Sequence, residues 1–439
     1  MTRAFILLAA LVVLLSGFLI RACDAEEPSR APASQAAAWQ KTEDPDAVSL
    51  ERLEVLALEH NPTLDQARAE TWKAYGRYVQ AGLYPNPEVG YAASEVGNDG
   101  RAGQQGSYIQ QEFVFGNKLA LSQNIGAAER TAADHALALQ EQRVRNNVRL
   151  EYYAILTATR SRDIARQLLK VAESAAALAK LRRESGEGNR IDELQARGEQ
   201  QRAAVTVAQS ENVVAAAWKR MLAVVGDPAL QPQPLTGHLE TESLPDITFE
   251  QLLARLEGNS PQIRLAEARI GRAQAAHARA EVEPIPNLTL QNTIQYDDST
   301  QYTVVGIQAT LPIPVFNRNQ GNIAAAEQEW IQASRETRRL RLSLQRDLAS
   351  RWQQFANARV QVERYRDEVL PTVSETLKLT RGAYEAGETD YLRLLTAQRS
   401  YAETYRDYIA ALGVAWQEAV HLNGLLLSDG LAAAESVTD

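Results

Sequence analysis

Residues 284–387 constrain the fold more than any other stretch. Leu288-Thr289-Leu290-Gln291-Asn292-Thr293-Ile294-Gln295-Tyr296 alternates apolar and polar side chains almost strictly, which predicts a strand with one apolar face. The polar turn Asp297-Asp298-Ser299-Thr300 leads into a second strand over 302–311. Pro312-Ile313-Pro314 ends that strand, because proline cannot serve a central ladder. About seventy residues rich in Ala, Leu, Arg, Glu and Gln follow, up to Gly387, and at about 1.5 Å per residue such a helix is on the order of 100 Å long. No ordinary globular domain contains one hairpin feeding a rod of that length.

The arrangement occurs twice. A helix capped by Ser49 breaks at Asn61-Pro62 and resumes to Gly82. Tyr84-Pro85-Asn86-Pro87 then opens a hairpin with strands at about 88–95 and 108–115 around a glycine-rich turn, 97–106. Gly116-Asn117-Lys118 starts a helix with no proline before Gly186, Gly186-Glu187-Gly188 turns the chain, and a helix returns from Arg190 to about Val225. In the second half, Asn259-Ser260-Pro261 matches His60-Asn61-Pro62, Pro286-Asn287 matches Pro85-Asn86, and Asn322-Ile323-Ala324-Ala325-Ala326-Glu327 matches Asn124-Ile125-Gly126-Ala127-Ala128-Glu129. Ala386-Gly387-Glu388 matches Ser185-Gly186-Glu187, Trp416 matches Trp218, and the offset stays at about 200 throughout. The chain therefore reads as a tandem duplication of helix, β-hairpin, long helix, helix. Its first repeat spans 49–225 (hairpin 84–116, helical hairpin 117–225), its proline-rich connector 226–246, its second repeat 247–425 (hairpin 284–316, helical hairpin 317–425) and its tail 426–439.

Residues 1–23 read as a secretory signal, with Arg3 before an apolar run from Ala4 to Ile20, and 24–48 as an extended leader. Cys23 falls where a signal peptidase would cut, which resembles a bacterial lipoprotein signal whose cysteine is lipidated. Arg21 and Asp24 depart from that pattern, and simple cleavage near Ala22 or Ala25 is the other reading.

Several functions are excluded. A net charge of -9 leaves no nucleic-acid footprint, and a single cysteine allows no internal disulfide. His60, His135, His238, His277 and His421 are too scattered for a tight metal site. There is no phosphate loop and no nucleophile elbow, so no catalytic or cofactor-binding residue is expected. Aromatics at 6% favour long helices side by side over a thick core, with Trp218, Trp352 and Trp416 as packing residues.

Four strands cannot close a barrel, for which about eight are the known minimum, and open edges are not tolerated in lipid. Either the sheet is soluble and covered, or several chains share one barrel. The strands have the length that a tilted membrane strand needs. Leu288, Leu290, Ile294 and Tyr296 oppose Thr289, Gln291, Thr293 and Gln295, and Val305, Ile307, Ala309 and Leu311 share one face of the fourth strand.

The element order, the Pro-Asn strand openings (Pro85-Asn86-Pro87 and Pro286-Asn287), Gln110-Gln111-Glu112-Phe113-Val114-Phe115-Gly116-Asn117-Lys118 and Leu311-Pro312-Ile313-Pro314-Val315-Phe316-Asn317-Arg318 resemble the outer-membrane factor (TolC) family. Glu368-Val369-Leu370-Pro371 and Tyr384-Glu385-Ala386-Gly387-Glu388 do as well, and the nearest flavour is its heavy-metal (CzcC-like) branch. The resemblance implies a mainly α fold with a small membrane β-barrel: a homotrimer whose twelve-stranded barrel sits in the outer membrane on a long α-helical periplasmic tunnel. It implies a passive exit duct that meets a periplasmic adaptor (membrane fusion protein) and an inner-membrane pump, with divalent metal cations as the family-level cargo and organic solutes still open. It places Gly186, Glu187, Gly188, Gly387 and Glu388 at the tip that contacts the adaptor. It places the pore constriction near Asp192, Asp390 and Arg393. The acidic gate of some relatives is not carried over, because Arg393 and Thr396 stand at those positions; Asp192 and Arg393 of neighbouring hairpins either pair across the tip or stand as two solvated helix charges. Pro371 should kink its helix. The competing reading is a soluble periplasmic coiled-coil scaffold or adaptor.

Overall fold

The computed structural model describes residues 47–97, 102–227, 229–237, 239 and 244–433. The signal sequence, Cys23, the leader up to residue 46 and His238 lie outside the described residues. In chain order the elements are α1 (Leu50–His60), α2 (Pro62–Ala81), β1 (Glu88–Val96), β2 (Ala102–Phe113), α3 (Lys118–Glu184) and α4 (Arg190–Val225). After the connector come α5 (Phe249–Asn259), α6 (Pro261–Glu281), β3 (Leu288–Asp297), β4 (Tyr302–Thr310), α7 (Gln320–Arg364), a π-helical turn (Tyr365–Val369), α8 (Leu370–Glu385) and α9 (Tyr391–Asn423).

Local chemistry accounts for the boundaries. Ser49 caps α1, accepting from the Arg52 amide at 3.3 Å, and Thr248 with Gln251 forms a capping box at α5. Asn61 and Ser260 place the following prolines at the first position of α2 and α6, where a missing amide costs nothing. α3 runs unbroken for 67 residues, on the order of 100 Å. Its counterpart α7–α8 does not. Pro371 lacks an amide and would clash with the carbonyl four residues back, so the helix widens just before it, and the Leu370 amide reaches Tyr365 O, five residues back. The disturbance expected at Pro371 includes a π-turn. A second difference from expectation lies in the first hairpin. β2 begins at Ala102, so the second half of the glycine-rich stretch 97–106 is strand, because Gly103 and Gly106 lie where β2 pairs with its neighbours.

The four strands make one antiparallel sheet in the order β1-β2-β3-β4, so the hairpins of the two repeats join through β2 and β3. The register puts Val89, Ile109, Asn292 and Ile307 in one transverse row and Tyr91, Ser107, Ile294 and Val305 in the next row of the same face. The opposite face carries Glu88, Gln110, Gln291 and Gln308 in one row and Glu112, Thr289 and Thr310 in another. One face is therefore predominantly apolar on β3 and β4 and mixed on β2, the other predominantly polar, and the apolar side chains are uncovered: Val89 is 75% and Ile307 74% exposed.

The helices repeat the order of the strands. α2 and α4 flank α3 on one side, α6 and α9 on the other, and α7–α8 packs in turn on α6 and α9. Since α2 feeds β1, β2 feeds α3, α6 feeds β3 and β4 feeds α7, each strand continues one helical column. The chain is a wall of four columns.

The largest core lies midway down this wall, where α1, α5 and the connector wrap the long helices around Leu53, Tyr152, Trp218, Met221, Leu348 and Trp416. Trp416 stacks on Tyr153, with ring centroids 4.5 Å apart, and donates through Nε1 to Leu239 O at 3.2 Å. Asn146, fully buried, donates to Gly424 O and Leu427 O at 2.8 and 2.7 Å, and buried Gln140 donates to Thr63 Oγ1 and Gly430 O. These side chains hold the tail after α9 against α3, far beyond the reach of any local pattern. Among the described residues no helix is long and apolar enough to cross a membrane.

Candidate functional site

The two ends of the wall are the regions with chemistry to explain. At the far end from the sheet, both helical hairpins turn through the same motif. Gly186 and Gly387 sit at φ +81° and +80°, a left-handed conformation that glycine adopts at no steric cost. Glu187 N bonds Arg182 O at 2.9 Å and Gly186 N bonds Arg183 O at 3.2 Å; Glu388 N bonds Ala383 O at 2.9 Å and Gly387 N bonds Tyr384 O at 3.1 Å. This is the Schellman pattern twice over. The next helices are capped alike: Asn189 accepts from the Asp192 amide at 2.8 Å, and Asp390 from the Arg393 amide at 2.9 Å.

Asp192 and Arg393 thus hold equivalent first-turn positions of α4 and α9. An aspartate there suits the positive helix end; an arginine opposes it. No ion pair joins the two within one chain, and Asp390 serves as a cap.

Other residues bind the two turns together. Arg182, at the end of α3, donates from Nη1 to Tyr384 O at 2.9 Å, and its guanidinium lies over the Tyr384 ring at 5.0 Å. Glu199 on α4 accepts from Arg399 on α9 and from Arg202 at 2.7 Å, and Arg183 pairs with Glu193 at 2.7 Å across the first hairpin. Inside lies a small apolar cluster with Ala175, Ala179, Ala196, Leu394 and the edge-on pair Tyr384–Tyr391, centroids 5.9 Å apart. Burial, with the Glu199 charge adding to it, pushes the Tyr391 phenol up to about 12, and burial also raises Tyr384, so both stay neutral. Contacts such as Arg182–Tyr384 join residues some two hundred positions apart. Only the duplication, laid out as two adjacent hairpins, could have hinted at them.

At the sheet end, the strands β1 to β4 contain no Lys or Arg among the described residues. Glu88 and Glu112 stand on the polar face near the helices; Gln110 reaches Glu88 at 3.5 Å, and Asn287 donates to Glu112 at 2.8 Å.

No group of three or more His, Cys, Asp or Glu among the described residues is placed to hold a metal ion. His421 is held down to about 4 by burial, with Arg351 adding to it, and stays neutral at ordinary pH. Trp218 and Trp416 are buried and Trp352 packs on the same core, as packing residues should.

The family described as outer membrane efflux protein matches twice, over residues 53–227 and 252–426. The chain is 28% identical over 381 residues to the cobalt-zinc-cadmium resistance protein CzcC of Cupriavidus metallidurans, covering 86% of this chain and 90% of that protein. It is 25% identical over 389 residues to the probable outer membrane lipoprotein SilC of Salmonella typhimurium, covering 79% of each. Among solved structures it is similar to CusC (TM-score 0.74, 19% identity, 93% of this chain and 100% of that one) and to the outer-membrane channel OprN (TM-score 0.73, 18% identity, 87% and 90%).

Proposed function

The chain belongs to the outer membrane efflux protein family, and from that premise we propose that three copies pool their strands and helices into one exit duct for divalent metal cations. It is an outer-membrane efflux channel and not an enzyme. The soluble scaffold or adaptor reading falls with the family match.

One observation carries the trimer: the wall is unfinished at both flanks in the same way. β1 and β4 each leave an edge without a strand partner among the described residues, and the outer columns also expose apolar side chains. On α4 these are Ile191, Leu194 and Val205, and on α7 and α8 they are Leu342, Val360 and Leu379. An open sheet edge cannot stand in lipid, and exposed apolar flanks call for a partner. The β4 flank of one copy against the β1 flank of the next satisfies both needs, and three copies give a closed twelve-stranded barrel over a helical tunnel.

The remaining assignments follow the same reading. The turns at Gly186-Glu187-Gly188 and Gly387-Glu388 meet a periplasmic adaptor, and an inner-membrane pump supplies the energy. Asp192, Asp390 and Arg393 border the constriction. Cys23 carries a lipid anchor, a reading that the lipoprotein SilC favours. The cargo is suggested by the cobalt-zinc-cadmium relative and by the charge on the polar face, which is acidic only. A water-filled lumen lined by Glu88 and Glu112 attracts cations and repels anions.

Reversal potentials across a salt gradient test this in planar bilayers. The wild-type channel should prefer cations severalfold. Glu88→Gln combined with Glu112→Gln, which keeps size and polarity, should bring the reversal potential most of the way to zero. An anion preference, or no change in the double variant, would refute the assigned cargo class.

A further inference from the structure

The connector between β4 and α7 has features that the duct alone does not explain. Residues 311–318 read Leu311-Pro312-Ile313-Pro314-Val315-Phe316-Asn317-Arg318. Ile313 is 78% and Phe316 92% exposed, and Leu311 and Val315 are exposed as well. A phenylalanine this bare is costly in water, because its full apolar surface stays wet. The segment is also ordered: Pro312 and Pro314 fix their backbone angles, and Val315 N bonds Ile313 O at 2.9 Å. Apolar side chains held out in this way lose little freedom on meeting a partner.

The charge pattern is equally specific. Arg318 is the only charged residue between Asp298 and Glu327. In the first repeat the cation of this region is Lys118, the first residue of α3, which is buried and lies 3.8 Å from Glu283. Arg318 is exposed; its amide donates to Gln320 Oε1 at 2.8 Å, and no ion pair or hydrogen bond engages its guanidinium among the described residues. Lys118 is folded into the wall, whereas Arg318, which precedes the Asn319 cap of α7, is left outside it.

The position identifies the occupant. Leu311 continues the odd-numbered alternation of Val305, Ile307 and Ala309, the apolar face of the sheet. The connector joins that face to the helices, so it lies where hydrocarbon gives way to headgroups on the periplasmic side. Apolar side chains followed at once by a free guanidinium match that boundary: the former enter the acyl region, and the latter reaches phosphate as a planar, multidentate donor.

We propose that residues 311–318 form a phospholipid-binding anchor in the leaflet that faces the periplasm, with Arg318 binding headgroup phosphate and Phe316 inserted among the acyl chains. This rests on the barrel reading above. The competing occupant is the first strand of a neighbouring copy.

A benzophenone side chain at position 316 distinguishes them. The full-length chain is reconstituted in vesicles of phosphatidylethanolamine with a minority of phosphatidylglycerol, floated, irradiated and weighed intact. The anchor predicts phospholipid adducts, with phosphatidylglycerol enriched severalfold over its share of the vesicle, and Arg318→Gln should return that ratio to the share itself. Crosslinks to a second chain in place of lipid, or an enrichment unchanged by Arg318→Gln, would overturn the anchor while leaving the barrel intact. Protein that does not float with the vesicles would overturn both.

Discussion

Gly106→Val should strip the assembled protein from the outer-membrane fraction. Gly106 lies in β2, the strand that joins the two repeats through its pairing with β3. A Cβ there would sit 1.9 Å from Ile294 O and 2.6 Å from Gln295 Cα, both backbone atoms of the neighbouring strand. No rotamer relieves a collision with backbone, so β2 and β3 must separate locally and lose ladder hydrogen bonds. Overpacking costs about 1–3 kcal/mol where neighbours can shift, and more where they cannot. Each 1.4 kcal/mol is about tenfold, so the folded trimer should fall by about tenfold or more, with unassembled chain degraded or left in the periplasm. Gly76, whose Cβ would meet nothing within 4 Å, is the comparison site, and Gly76→Ala should be tolerated. Membrane-inserted trimer at wild-type level for Gly106→Val would mean that the two hairpins do not pair as described.

The second large effect is expected at the turns. Arg182→Ala removes a hydrogen bond to Tyr384 O and a guanidinium from the Tyr384 ring, the contacts that bind the second hairpin's turn to the end of α3. Arg182 is half-buried, which places the loss near one or two kcal/mol, a factor of about 5–30 in a two-state equilibrium. If the closed duct depends on the hairpins holding each other, the open probability of purified trimer in bilayers should rise by that factor. Arg393→Ala makes an informative comparison. It rises too only if Asp192 of a neighbouring hairpin holds Arg393, since the two do not pair within one chain. An Arg182→Ala channel as quiet as the wild type, with assembly unaffected, would show that this contact does not hold the duct closed.

How much the sequence disclosed depended on the range of the interaction. β3 was legible almost to the residue, because strict alternation from Leu288 to Tyr296 leaves only one reading. The turns at Gly186 and Gly387 were legible for the same reason, a local demand for a left-handed residue. The start of β2 was not, because glycines that read as a turn are there to let strands approach closely. Pro371 announced a disturbance but not the π-turn that accompanies it, since the clash with the preceding turn can be relieved in more than one way. The order of the columns, the Arg182–Tyr384 clamp and the Glu199–Arg399 bridge depend on contacts across two hundred residues and leave no local trace. The contrast between buried Lys118 and exposed Arg318 was equally hidden, since both follow an asparagine, although Lys118 opens α3 and Arg318 precedes the cap of α7.

A wall open at both flanks is completed by copies of itself or it does not stand in lipid. The mass of the detergent-extracted particle, weighed intact by native mass spectrometry, decides this directly. Three chains in one detergent-dependent particle is the predicted result; a single chain that stays in solution without detergent would contradict it.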